Sequence, residues 1–356
     1  MTILATQIVV NDIISLMKKL AITFLILATI SVNGQPPSSI TGQVFPTRQT
    51  PVHDPVMIKQ GRTYYVFCTG FGVSVFSSRD MKNWKSEKPV FDKTPQWAID
   101  AIPGFNGYIW APDISYHNGQ YYLYYSASAF GKNTSCIGVA VNKTLDSSSP
   151  DFKWQDAGKL IQSVPERDMW NAIDPNLIID SSNTPYLVFG SFWEGMKQVK
   201  LNPDLTSIAQ PEEWHTLARR PRNFAIPDNN AGNAAIEAPF IFKKDNYYYL
   251  FVSWDYCCQA ERSSYKVVTG RSEKVTGPYL DKTGNDMFFG GGSLLVQGDN
   301  KNWFAAGHNS AYTLNGKDYI VYHGYDAKDQ GKPKLIIEEL NWKDGWPVVP
   351  SQGPMP

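Results

Sequence analysis

The sequence predicts an all-β fold, a five-bladed β-propeller, and three observations carry that reading. The same short opening recurs five times along the chain. Each recurrence runs through a turn into a strand rich in Tyr and Val. No long stretch carries the apolar period of an amphipathic helix, and no linker rich in Pro, Gly or Ser divides the chain.

The five units follow one another in order. His53-Asp54-Pro55-Val56-Met57-Ile58 turns at Gln60-Gly61 into Tyr64-Tyr65-Val66-Phe67. Trp110-Ala111-Pro112-Asp113-Ile114 passes His117-Asn118-Gly119 into Tyr121-Tyr122-Leu123-Tyr124-Tyr125. Ile173-Asp174-Pro175-Asn176-Leu177 passes Ser181-Ser182-Asn183 into Tyr186-Leu187-Val188-Phe189. Glu237-Ala238-Pro239-Phe240-Ile241 passes Asp245-Asn246 into Tyr247-Tyr248-Tyr249-Leu250-Phe251. His308-Asn309-Ser310-Ala311-Tyr312 passes Asn315-Gly316 into Tyr319-Ile320-Val321-Tyr322. A short apolar strand, a turn of Gly, Asn or Asp, and an aromatic strand make a β-hairpin. Pro55, Pro112, Pro175, Pro239 and Ser310 lie roughly 57 to 71 residues apart, enough for a four-stranded sheet each. A later Trp or Tyr beside a polar turn (Trp84, Trp154, Trp214, Tyr279, and Trp342 with Trp346) is expected in the outer strands. A β-sandwich would leave five similar openings unexplained.

Residues 1–34 stand apart as an N-terminal extension and signal peptide. Lys18-Lys19 precede an apolar run from Leu20 to Val32, and Val32-Asn33-Gly34 place small residues before a cleavage site at Gln35. The run is short for a membrane span. The residues before Met17 lack a basic group, so translation is expected to start at Met17. Residues 35–356 are read as a single propeller domain, secreted or periplasmic.

Composition narrows the function. Lys plus Arg and Asp plus Glu each number 33, so formal net charge is zero, which argues against a nucleic-acid partner. No membrane partner is expected after signal cleavage, and a monomer is expected. Four Cys are too few for a disulfide scaffold. The adjacent Cys257 and Cys258 suit a vicinal disulfide and two free buried thiols about equally.

The first strand of a propeller blade lines the central channel, so the residue opening it sits near the channel mouth. Three openings carry an acid: Asp54, Asp174 and Glu237. Each lies among apolar residues and beside a Pro. A carboxyl in such a place is costly unless paired or used. Glycoside hydrolysis needs two carboxyls in different protonation states, and a third nearby can tune the acid.

The residues His53-Asp54-Pro55, Trp110-Ala111-Pro112-Asp113, Asn171-Ala172-Ile173-Asp174-Pro175, Gly190-Ser191-Phe192-Trp193, Ile236-Glu237-Ala238-Pro239, Thr276-Gly277-Pro278-Tyr279 and Gly307-His308-Asn309-Ser310 resemble glycoside hydrolase family 43. The likeness spans nearly the whole mature chain and is nearest to endo-1,5-α-L-arabinanases, including Ser253-Trp254-Asp255-Tyr256-Cys257-Cys258. The resemblance implies a five-bladed propeller that works with inversion, with Asp54 as general base, Glu237 as general acid and Asp174 tuning Glu237. It also implies that His308 faces the channel and helps hold a calcium ion through waters. No organic cofactor is expected. From its residues alone His308 reads as a hydrogen-bonded core histidine, because calcium prefers oxygen ligands. His53 is expected to support the base.

Trp110, Gly131, Asn171, Ser191, Phe192 and Trp193 are candidate substrate contacts, Trp110 by stacking and Asn171 and Ser191 by hydrogen bonds, while Trp193 reads equally well as packing. The expected activity is cleavage of internal α-1,5 bonds in arabinan, a polysaccharide of pectin side chains. The exo-acting alternatives are an α-L-arabinofuranosidase or a β-xylosidase of the same fold. They differ from the endo reading in loop shape, and the lack of an appended β-sandwich leans towards endo. A non-catalytic sugar-binding propeller would keep the aromatics but has no need of three converging acids.

Overall fold

Strand alternation decides which wall each tyrosine joins. In the strand Gln120–Ala127, Tyr121, Leu123 and Tyr125 point one way and pack with Val56, Phe67 and Val75. Tyr122 and Tyr124 point the other way and pack with Leu177, Leu187 and Phe189. Tyr186 and Val188 likewise meet Tyr248, Leu250 and Val252, while Tyr249 and Phe251 meet Ile320 and Tyr322. A run of aromatics therefore serves two cores at once, and the apolar core is divided into layers between adjacent sheets.

The computed structural model describes residues 40–353. The expected signal peptide and the start at Met17 lie outside the described residues. Five antiparallel sheets follow one another along the chain as blades. Blade 1 comprises Val56–Gln60, Thr63–Cys68, Ser74–Ser78 and Asn83–Ser86, with Val44–Pro46 outermost. Blade 2 comprises Tyr108–His117, Gln120–Ala127, Ser135–Asn142 and Gln155–Ser163, with Gly70–Phe71 at its inner edge. Blade 3 comprises Asn176–Ile179, Pro185–Phe189, Met196–Lys200 and Trp214–Ala218. Blade 4 comprises Ile236–Lys244, Tyr247–Trp254, Lys266–Ser272 and Ser293–Gln297. Blade 5 has three strands, Trp303–Leu314, Lys317–Asp326 and Lys332–Glu339.

The first strands of blades 1 to 5 touch their neighbours in sequence, and blade 5 returns to blade 1. That closed ring makes the fold a five-bladed β-propeller, as the repeats predict. The outer-strand expectation holds for Trp84 and Trp214, and Trp154 directly precedes the outer strand of blade 2. It fails for the last three aromatics. Tyr279 lies in the connection before the last strand of blade 4, where it is buried and its hydroxyl donates to Val275 O at 2.8 Å. Trp342 and Trp346 form a separate hairpin, and Trp342 packs on Tyr249 and Phe242. These rings fill the core from outside the sheets.

Candidate active site

One backbone conformation recurs where each blade meets the channel. Asp54, Ala111, Asp174, Ala238 and His308 all have positive φ, between 39° and 58°. Four of them precede a proline. A left-handed non-glycine residue costs on the order of 1–3 kcal/mol and persists only where its surroundings hold it. Here the holder is the neighbouring blade, because each N–H donates to a side chain from the blade before it. Ala111 N donates to Thr69 Oγ1 at 2.8 Å, and Asp174 N to Ser126 Oγ at 3.0 Å. His308 N donates to Ser253 Oγ at 2.8 Å, and Asp54 N to His323 Nδ1 at 3.1 Å, which closes the circle.

The third blade breaks the pattern. Its equivalent residue is Gly190, with φ 134°, where a Cβ would lie 2.8 Å from Gly195 O and 3.2 Å from Met196 Cα. No side chain fits there. The Asp174 carboxylate takes over, and its Oδ2 accepts Ala238 N–H at 3.0 Å. Asp174 thus grips the backbone of the residue that follows Glu237.

This ring corrects the register of the acids. Asp54 and Asp174 occupy equivalent positions, but Glu237 sits one residue earlier, in line with His53, Trp110, Ile173 and Gly307. It still joins the other two. Ser191 Oγ donates to its Oε2 at 2.8 Å and Tyr265 Oη to its Oε1 at 2.7 Å. All three carboxyls act on the partly buried His308.

Their environments differ. Asp54 Oδ1 lies 2.7 Å from His53 Nδ1 and 3.0 Å from His308 Nδ1, and Thr69 Oγ1 donates to Oδ2 at 2.5 Å. Burial alone would push Asp54 up, but His53 and His308 outweigh it and hold the carboxyl well below its ordinary range. Asp174 lacks such partners. Burial pushes it well above its ordinary range, and the charges of Glu237 and Asp54 add to this against the pull of His308. Burial acts to lower His308, yet Asp54, Asp174 and Glu237 together raise it to about 9. Burial holds His323 well below its ordinary value, with His53 at 3.9 Å ring to ring.

The side chains around His308 do not by themselves make a calcium site. Calcium takes six to eight oxygens, whereas His308 offers nitrogen and Asp54 already serves two imidazoles. Among the described residues, no cluster of three ligand side chains includes His308.

The candidate substrate contacts divide. Trp110 is half-buried on the first strand of blade 2, opposite Ser126. Phe192 is partly exposed, its ring 6.1 Å from Tyr256. Gly131 lines a cavity of about 740 Å³ with Lys132, Asn133 and Asn229. Asn171 is buried with its Oδ1 unpaired, beside the Lys132 carbonyl. Ser191 donates its hydroxyl proton to Glu237. Trp193 is 1% exposed with its indole N–H donated to Asp228 O, so it braces a loop and offers no stacking face. Of the two cysteine states, Cys257 and Cys258 adopt the vicinal disulfide. Thr69, Tyr265, His323 and Tyr325 are site residues that motif reading misses.

Comparison with known proteins agrees with this geometry. The sequence model described as Glycosyl hydrolases family 43 matches residues 45–347. The chain is 55% identical to the extracellular exo-α-(1→5)-L-arabinofuranosidase ArbA of Cellvibrio japonicus over 85% of this chain and 87% of the relative. It is 43% identical to the extracellular endo-α-(1→5)-L-arabinanase 1 of Bacillus subtilis over 83% and 87%. Among solved structures, the Cellvibrio cellulosa α-L-arabinanase complexed with arabinohexaose superposes with a TM-score of 0.83 at 55% identity, over 85% of this chain and 96% of that one.

Proposed function

Because the chain belongs to glycosyl hydrolase family 43, we propose that it hydrolyses the α-1,5-L-arabinofuranosidic bonds of arabinan with inversion at the anomeric carbon. The observation that carries the reading is the convergence of three carboxyls on His308, with Asp54 and Asp174 driven in opposite directions. Asp54 is held ionised by two imidazoles, which suits a base taking a proton from water. Glu237 is gripped at both oxygens by Ser191 and Tyr265 and gives its proton to the leaving oxygen. Asp174 fixes the backbone beside Glu237 and places a further carboxyl next to it. Water attacks the anomeric carbon as the glycosidic bond breaks. Its proton passes to Asp54, and the leaving hydroxyl carries the proton from Glu237.

Internal cleavage is the mode we propose, from the resemblance to endo-arabinanases. Exo action is the second reading, favoured by the likeness to the Cellvibrio japonicus exo-α-(1→5)-L-arabinofuranosidase at 55% identity and to an exo-1,5-α-L-arabinanase from a bovine ruminal metagenomic library at 48%. The extracellular relatives support secretion. No helix among the described residues is long and apolar enough to cross a membrane.

The deciding experiment incubates the chain with linear α-1,5-arabinan and follows viscosity and products. Rapid viscosity loss with a ladder of oligosaccharides supports the endo mode. Short products released from chain ends, with viscosity preserved, support the exo mode. Glu237→Gln is expected to cut turnover roughly 100- to 10,000-fold while arabinan still binds. Turnover at the wild-type rate in that variant would refute the assignment of the acid.

A further inference from the structure

A chain of hydrogen bonds runs from the disulfide turn to the carboxylate assigned as base. Cys258 N lies 2.8 Å from Tyr325 Oη, Tyr325 Oη 2.9 Å from His53 Nε2, and His53 Nδ1 2.7 Å from Asp54 Oδ1. Its two ends set its direction. A backbone N–H can only donate, and an ionised carboxylate can only accept. With a neutral imidazole the intermediate links follow. His53 carries its proton on Nδ1 and gives it to Asp54, its Nε2 accepts from the Tyr325 hydroxyl, and the Tyr325 oxygen accepts from Cys258 N–H. Every donor in the chain points towards Asp54.

The links are placed to stay ordered. Tyr325 is 2% exposed on the second strand of blade 5, its ring edge-on to both His53 and His323. Cys258 has φ 66° in the connection between Trp254 and Lys266, and the disulfide to Cys257 locks that turn. The same connection is tied down by Arg220 and Lys266 on Asp255, and by a mutual pair of bonds between Tyr256 and Ser264. Cys258 Sγ also lies 3.7 Å from His53 Nε2, so the disulfide borders the imidazole directly.

We propose that Tyr325 is a positioning residue for Asp54 and that the Cys257–Cys258 turn is the anchor that orients it, so that turnover responds to a dithiol reductant. The proposal rests on the reading of Asp54 as the base. The redox step is an ordinary exchange. One thiolate of the reductant attacks a disulfide sulfur, its second thiolate closes a ring and leaves as the oxidised reductant, and two electrons and two protons remain on Cys257 and Cys258 as thiols. Freed from the ring, the turn no longer holds Cys258 N–H on Tyr325.

The test compares wild type, Tyr325→Phe and the Cys257→Ser/Cys258→Ser double variant, each with and without dithiothreitol, for kcat and KM on arabinan. Circular dichroism confirms folding. Tyr325→Phe is expected to lower kcat on the order of tenfold at unchanged KM, the scale of one hydrogen bond to a charged network. Reduction of the wild type is expected to match this loss, as is the double serine variant. Dithiothreitol is expected to add nothing in either variant. Wild-type kcat in Tyr325→Phe, or equal slowing of wild type and Tyr325→Phe by reductant, would overturn the proposal. A second readout needs no turnover. The ¹⁵N signals of His53 are expected to report an Nδ1–H imidazole in the oxidised wild type and to move in Tyr325→Phe and on reduction. Wild type inactive on arabinan but with those shifts refutes the substrate and leaves the positioning chain standing. Unmoved shifts in Tyr325→Phe refute the chain.

Discussion

Thr69 faces two ways. Its hydroxyl oxygen accepts Ala111 N–H from blade 2, which commits its proton to Asp54 Oδ2. One residue therefore holds a strained backbone turn and one oxygen of Asp54. Thr69→Val keeps the shape but strands a buried N–H, at a cost of about 1–3 kcal/mol. It is also expected to lower kcat on the order of tenfold, with Thr69→Ser restoring both. Chemical denaturation and steady-state kinetics on the same preparations check this. Such residues leave only a spacing in the sequence. Thr69, Ser126, Ser253 and His323 each follow the left-handed residue of their unit by 15 positions, and Gly190 by 16. The periodicity is visible, but its meaning is not, since Thr, Ser, Gly and His share no obvious chemistry until a backbone N–H is placed against them. Asp54 and Asp174 are legible for the opposite reason, as an acid beside a proline at a repeated opening. Glu237 reaches the same place from a different register, which the repeat alone does not show.

At the scale of the blade, buried polar groups stitch one first strand to the next. Asp113 Oδ2 in blade 2 accepts Leu177 N–H at 2.8 Å in blade 3, and Asn176 Oδ1 accepts Ile241 N–H at 2.9 Å in blade 4. Burial pushes Asp113 up to about 7, against the lowering effect of Leu177 N–H and the Asn176 amide. Its folded value then exceeds the unfolded one of about 3.9, so the folded state holds the proton more tightly. Stability from this group is full below about pH 4 and is lost as pH rises through 7, with a ceiling on the order of 4 kcal/mol. Asp113→Asn does not titrate. Its stability is expected to fall less than that of the wild type between pH 4 and 7.5, as measured by urea denaturation across that window. Parallel profiles would show that Asp113 is ionised throughout. The hairpins of each blade follow from alternation and turn residues. The stitches do not, because they join side chains about 64 residues apart whose partners are backbone atoms.

At the scale of the molecule, the propeller closes between its first and last blades without a shared strand among the described residues. The seam is held by individual bonds: Met57 N to Tyr312 Oη at 3.0 Å, Ser310 Oγ to Pro55 O at 3.0 Å, and Leu335 N to Thr50 O at 3.0 Å. The surroundings of Asp54 lie on this same seam, since blade 5 supplies His308, His323 and Tyr325 to His53 and Asp54, which open blade 1. Closure of the ring therefore also assembles the surroundings of Asp54. Tyr312→Phe leaves Met57 N–H buried without its partner, at a cost of about 1–3 kcal/mol. Tyr124→Phe makes a comparable defect between blades 2 and 3, where the hydroxyl bonds Leu205 O at 2.6 Å. Both variants are expected to melt earlier. Only Tyr312→Phe is expected to lose activity at a temperature below its own melt, because local opening of the seam disperses the residues around Asp54 before the remaining blades unfold. Activity and circular dichroism recorded on one temperature ramp check this. Coincident loss in both variants would mean that the seam opens only with the whole ring, and that the position of Asp54 on it has no consequence for stability.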